Sequence, residues 1–187
     1  MRKIEYTNLS EFFFAIKFLT VPILKKNKKY PHLNFVFSDG NWCRCTDGYR
    51  VHSVSGLEIP KGNYEVIKRG KSSFQLKKTT QGKDPLFNTI IDKIRWQTLK
   101  FNYQFQKNET DISLMLCKIA QRNAIFNYRY FDEAFNKISE SVWDKLDWRY
   151  YLTRDKKMFK SIGIFNSKVS IHFQVMGIVD IDEKKNE

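Results

Sequence analysis

Thr46-Asp47-Gly48-Tyr49-Arg50-Val51 is the stretch on which the reading of the fold turns. Asp-Gly favours a tight turn, because glycine tolerates positive φ and an aspartate side chain bonds the backbone just after it. Strand-like alternation stands on both sides of it. The turn therefore joins two strands and holds Tyr49, Arg50 and Val51 in a fixed geometry at a sheet edge.

Before this turn, Leu33, Phe35 and Phe37 alternate as a strand, Asp39-Gly40-Asn41 reverses the chain, and Trp42 to Thr46 returns. After it, a third strand runs from Tyr49 to Val54. A loop from Gly56 to Gly62 contains Pro60, and Tyr64 to Lys68 and Phe74 to Lys78 form a further pair of strands. Upstream, Ile4-Glu5-Tyr6 is a short strand. Asn8 and Glu11 have capping-box spacing, and Leu9, Phe12, Phe13, Ile16 and Leu19 recur at helical spacing up to Pro22.

Downstream, Asp84-Pro85 opens a segment whose apolar face is Leu86, Phe87, Ile90, Ile91 and Ile94. Leu99 to Phe105 and Ile112 to Leu116 alternate as strands. Phe126 to Ile138 is a second helix with Phe131, Ala134, Phe135 and Ile138 as its stripe. Trp148 to Leu152, Ile162 to Ile164 and Val169 to Val175 are three closing strands, and 180–187 is a charged tail. Ile4, Tyr6, Glu11, Phe13 and Ile16 have the same spacing as Phe126, Tyr128, Glu133, Phe135 and Ile138. The expectation is a single α+β domain over 1–187. It has antiparallel sheets, two helices packed on one face, and two similar halves at about 1–80 and 98–179.

A chain of 187 residues, 42% apolar and 28% charged, is long enough to bury a core without staples. No run of 18 apolar residues occurs, so no membrane span is expected. Three cysteines in no framework spacing suit a cytoplasmic, reducing setting. Cys43 and Cys45 share a strand face, but with only His32, His52 and Cys117 to add, buried thiols are a better reading than zinc. No metal and no cofactor is expected.

Lys and Arg number 33 against 20 Asp and Glu, for a net charge of +13. That excess favours a polyanionic partner, most simply DNA held without sequence preference. The expected phosphate contacts are Lys17, the loop residues Lys25, Lys26, Lys28 and Lys29, then Lys68, Arg69 and Lys71, and on the second helix Arg129 and Lys137. A solvated basic face is the competing reading. Aromatics at 16% could stack bases, but most fall on the apolar phase of their elements.

Catalytic signatures are missing. There is no nucleophile elbow and no His-Glu-x-x-His. Gly70-Lys71-Ser72 mimics the end of a phosphate-binding loop, but Glu65 occupies the place of its first glycine. Asp39, Asp47 and Glu65 could be imagined as a metal-dependent nuclease cluster, although turn chemistry explains the first two. The chain is expected not to be an enzyme.

Three segments resemble the bacterial DNA polymerase III β subunit, the sliding clamp. Thr46 to Val51 is similar to its Thr-Asp-Gly-His-Arg-Leu. Phe126-Asn127-Tyr128-Arg129-Tyr130-Phe131 is similar to its Phe-Asn-x-x-Tyr-Leu, and Phe173 to Ile178 looks like its last strand, ending Val-Met-Pro-Met. Tyr49 stands in place of His and Gly177 in place of Pro, and the chain has room for one such domain where a clamp subunit has three.

The resemblance implies a non-catalytic, clamp-like protein of replication or repair, of phage or mobile-element type, that self-associates on DNA. It also implies a partner-peptide pocket of Thr46, Gly48, Tyr49, Arg50 and Val51 with Val175, Met176 and Ile178, in which Arg50 would bond a peptide carbonyl or carboxylate. Plain core is the alternative for Val51, Val175 and Met176. A monomeric regulator that does not encircle DNA is the alternative function, and the nuclease a second.

Overall fold

The computed structural model describes residues 3–7, 9–82, 101–102, 126–138, 145–152, 157–165 and 167–177. The expected elements at 85–94 and 112–116, most of the 99–105 strand, and the tail at 180–187 lie outside them. In chain order the elements are β1 (Lys3–Thr7), α1 (Phe13–Leu19), β2 (Val36–Ser38), β3 (Trp42–Thr46), β4 (Arg50–Ser55), β5 (Gly62–Arg69) and β6 (Ser73–Thr79). There follow β7 (Phe101–Asn102), α2 (Tyr128–Phe135), β8 (Asp147–Leu152), β9 (Met158–Phe165) and β10 (Val169–Met176).

The strands make one ten-stranded sheet in the order β1-β6-β5-β2-β3-β4-β10-β9-β8-β7. Its pairings are antiparallel. Two consecutive meanders, β2-β3-β4 and β8-β9-β10, meet where β4 pairs with β10. The expected plural sheets are therefore one continuous sheet among the described residues.

Register fixes which side chains share a face, because strand side chains alternate. Val54 stands opposite Cys43 and Ile171, and His52 opposite Cys45 and Phe173. All six are buried, so this face carries the core. Both helices pack on it. Phe18 of α1 lies against His52, with ring centroids 4.5 Å apart. Phe131 and Phe135 of α2 lie 5.3 and 5.7 Å from Phe173. Burying each such ring removes enough apolar surface for about 1.5–3 kcal/mol, and edge-to-face pairs add about 0.5–1.5 kcal/mol. Among the described residues the fold is thus α+β, with both of their helices on one face. Among the described residues no helix is long and apolar enough to cross a membrane.

Two local expectations are corrected. Helix α1 starts at Phe13, a turn later than the apolar spacing suggested. Ser10 makes the preceding turn, accepting from the Phe12 N–H through its side chain (3.3 Å) and from the Phe13 N–H through its carbonyl (3.0 Å). Leu9 is left 92% exposed. Leu33 does not begin a strand either. Pro31–Leu33 is a 3₁₀ turn, which the fixed φ of Pro31 favours, and β2 is only Val36–Ser38. The five-residue spacing match also fails as a structural repeat: Tyr6 lies in a strand and Tyr128 opens a helix.

Candidate functional site

The Asp-Gly turn is wired by its own side chains. Asp47 Oδ1 accepts from the N–H groups of Tyr49 and Arg50, both at 3.0 Å. Gly48 takes φ of +96°, which glycine adopts without strain, and its N–H donates to Thr46 Oγ1 at 3.0 Å. The Thr46 hydroxyl donates in turn to the Arg50 carbonyl at 2.7 Å. The end of β10 is fastened to the same turn, because the Met176 N–H donates to the Tyr49 carbonyl at 2.9 Å.

Beside the turn lies a groove of about 510 Å³. Thr46 stands opposite Val51, Val51 opposite Gln174, and Met176 opposite Met158. Register puts these side chains on the sheet face away from the helices. Tyr30, His32 and Leu33, from the 3₁₀ turn and the residue before it, close one side, and Tyr49 stands over another. Tyr49 is 57% exposed and Met176 50%, so the groove carries apolar surface in contact with water.

The expected pocket residues Thr46, Gly48, Tyr49, Arg50, Val51, Val175 and Met176 all line this groove; Ile178 lies outside the described residues. They differ in kind. Val175 is fully buried and belongs by register to the helix face, so core packing explains it. Val51 is half-buried and Met176 exposed.

Arg50 is not free to reach a peptide as expected. It is 6% exposed. Its Nε donates to Asp47 Oδ2 (2.9 Å) and its Nη2 to Glu133 Oε2 (2.7 Å), while its Cζ lies 4.6 Å from the Tyr130 ring centroid. Glu133 also accepts from Arg129 Nε at 2.6 Å. Partial burial acts to raise the Glu133 pKa, but the bonds from Arg129 and Arg50 outweigh it and hold the carboxyl below its usual value. Arg50 therefore staples the turn to α2.

Tyr30, His32, Leu33, Met158 and Gln174 are lining residues that sequence reasoning missed. Gln174 is 3% exposed, and its Oε1 has no hydrogen-bond partner among the described residues. Its place opposite Val51, in a strand of known phase, was the signal that could have found it.

The ten expected phosphate contacts do not form one surface. Lys17 on α1 has its ammonium 4.1 Å from the Phe13 ring centroid. Burial, then the neighbouring charge of Lys137, lowers its pKa, so these two lysines stand near each other on the helix side. Arg129 is paired with Glu133. Lys25, Lys26, Lys28 and Lys29 are exposed on the loop beside the groove. Lys68 and Lys71 are exposed near the β5–β6 turn. Arg69 there donates from Nη2 to the Ile23 carbonyl at 2.9 Å, and burial lowers its pKa, so it serves as an anchor.

The imagined nuclease acids are not assembled. Asp39 accepts from the Asn41 and Trp42 N–H groups (2.8 and 2.7 Å) and from Arg44 Nη1 (2.6 Å). Asp47 is held as described, and Glu65 faces Lys77 across β5 and β6. Among the described residues no three His, Cys, Asp or Glu side chains are grouped to hold a metal. Cys43 and Cys45 are buried thiols, and burial pushes the Cys43 pKa up to about 11.

No protein-family model matches the chain, and no curated protein matches it. A solved structure, the Helicobacter pylori β clamp in complex with 3,4-difluorobenzamide, is similar to it over 89% of this chain. The identity is 11% and the TM-score 0.47. The chain spans 64% of the length of that one.

Proposed function

We propose that this protein is a non-catalytic, clamp-like binding protein that holds a linear peptide of a replication or repair partner in the outer-face groove. One observation carries the reading. The residues that the sliding-clamp resemblance implies for a partner pocket come from strands β3, β4 and β10 and the turn between β3 and β4, and seven of them line one groove. Its two methionines suit an adaptable apolar ligand. DNA contact, without sequence readout, falls to the helix side through Lys17 and Lys137 with the paired Arg129. Self-association would use the strands that are outermost among the described residues, β1 and β7.

The test is binding of a labelled peptide bearing leucine and phenylalanine to the wild type and to Tyr49→Ser. Loss of binding in the variant supports the reading; equal binding removes the groove from it. Mass in solution, with and without duplex DNA, distinguishes a ring-forming clamp from a monomeric regulator. The second reading has its own support, since among the described helix-side cations Arg129 is paired with Glu133 and Lys17 lies over the Phe13 ring.

A further inference from the structure

The basic loop after α1 is the wall of the groove. Asn27 fastens it. Its N–H donates to Asn34 Oδ1 (2.6 Å), its Oδ1 accepts from the Tyr30 N–H (2.8 Å), and its Nδ2 donates to the Asp47 carbonyl (3.3 Å) in the Asp-Gly turn. Asn34 Nδ2 returns a bond to the Asn27 carbonyl at 3.1 Å. The loop is thereby tied to the groove's own turn. It offers Tyr30, His32 and Leu33 as lining while Lys25, Lys26, Lys28 and Lys29 stand exposed next to them.

Among the described residues the charge around the groove is one-sided. None of the four lysines makes an ion pair among the described residues. Lys29 Nζ lies 5.1 Å from the Tyr30 ring centroid, at the groove's aromatic rim. Among the described residues no carboxylate lines the groove. Asp47, the nearest in sequence, is engaged by two backbone N–H groups and Arg50. An apolar slot beside an uncompensated run of ammonium groups is complementary to an apolar segment that carries negative charge.

We propose that the occupant is an acidic linear peptide, with its apolar side chains in the groove and its carboxylates against Lys25, Lys26, Lys28 and Lys29; this deepens the proposed function and rests on it. Duplex DNA is the less favoured occupant of the loop, because it has no apolar side chain to cover Val51, Met158 and Met176. The loop is then a specificity device of the peptide site, and not part of a DNA-contacting surface.

Two fluorescein-labelled octapeptides test this with the full chain. Both end in Leu-Gly-Leu-Phe; one begins with four glutamates and the other with four serines. The glutamate peptide should bind roughly tenfold more tightly at about 50 mM salt, and the gap should close toward parity at about 0.5 M. K25E/K26E/K28E/K29E should erase the preference without changing serine-peptide affinity, and K25Q/K26Q/K28Q/K29Q should fall between. K17E/K137E should leave both peptides as in the wild type. Equal affinity of the two peptides for the wild type overturns the proposal. So does a quadruple variant that keeps the preference but loses duplex affinity, which would assign the loop to DNA. If neither peptide binds the wild type, the groove reading itself fails, and this inference with it.

Discussion

Arg50 Nη2 and Glu133 Oε2 meet at 2.7 Å across 83 residues of sequence, and that bond ties the groove's turn to α2. Arg50 is nearly buried while Glu133 keeps a quarter of its side chain exposed. Arg50→Ala should therefore cost about 3 kcal/mol, near the lower end for breaking a buried pair, because Asp47 Oδ2 and Glu133 Oε2 both lose their donor. Arg129→Ala, at the exposed end of the same network, should cost about 0–1 kcal/mol. Urea midpoints of the two variants check this. Equal, small losses would mean that Arg50 is not the staple.

The two histidines in strands β4 and β10 give a pH dependence of definite sign. His52 is fully buried, and burial, with the nearby Arg50 charge, holds its pKa well below the usual value. Its Nδ1 lies 2.8 Å from the Phe18 carbonyl, so the neutral ring donates there. Burial, then Lys160 and Arg44, lowers the pKa of His172 to about 3. Both folded values are depressed, so the stabilisation is complete above the unfolded value near 6.5 and is lost as pH falls toward the folded values. Unfolding free energy should fall below pH 6.5 with a slope approaching about 1.4 kcal/mol per pH unit for each histidine. H172F should halve that slope. A flat profile from pH 7 to 5 would contradict the burial of these rings.

Gln174 places in the groove floor an amide oxygen with no partner among the described residues. Gln174→Leu should raise stability by about 1 kcal/mol, because an unmet buried acceptor costs about 1–3 kcal/mol. Chemical denaturation measures it. A drop in stability would show that the amide is satisfied in solution.

Groove residues should separate from core residues. Tyr49→Ser and Met176→Ala should change stability by no more than about 0.5 kcal/mol, as exposed positions do. Val175→Ala should cost about 2 kcal/mol from lost burial and the cavity left behind. Melting curves for the three variants, read beside peptide titrations, make the comparison.

Much of this was legible in the sequence because it is local. Alternation placed β3, β4, β5, β6 and β10, and Asp-Gly and Asp-Gly-Asn placed two turns. The stripe of Phe131, Ala134 and Phe135 placed α2. What failed was also local, where one residue outweighs periodicity. Ser10 delays α1 and Pro31 turns a presumed strand into a 3₁₀ turn. The groove was half legible. Its floor follows from strand phase, but Tyr30 and His32 reach it through the bonds of Asn27, and no spacing encodes those. Nor could spacing show that Arg50 is occupied by a glutamate so distant in the chain. Charge suggested a polyanionic partner, but not the division of the lysines between two faces.

The central claim is that the outer-face groove binds a peptide, and methionine methyl NMR tests it most directly. The chain has four methionines, and Met158 and Met176, register partners on the neighbouring strands β9 and β10, both line the groove. Titration with the Leu-Gly-Leu-Phe peptides should shift both of these methyl signals along one saturable curve, and Tyr49→Ser should weaken that curve. Methyl signals of Met158 and Met176 that stay still, while the peptide binds elsewhere or not at all, would contradict the account.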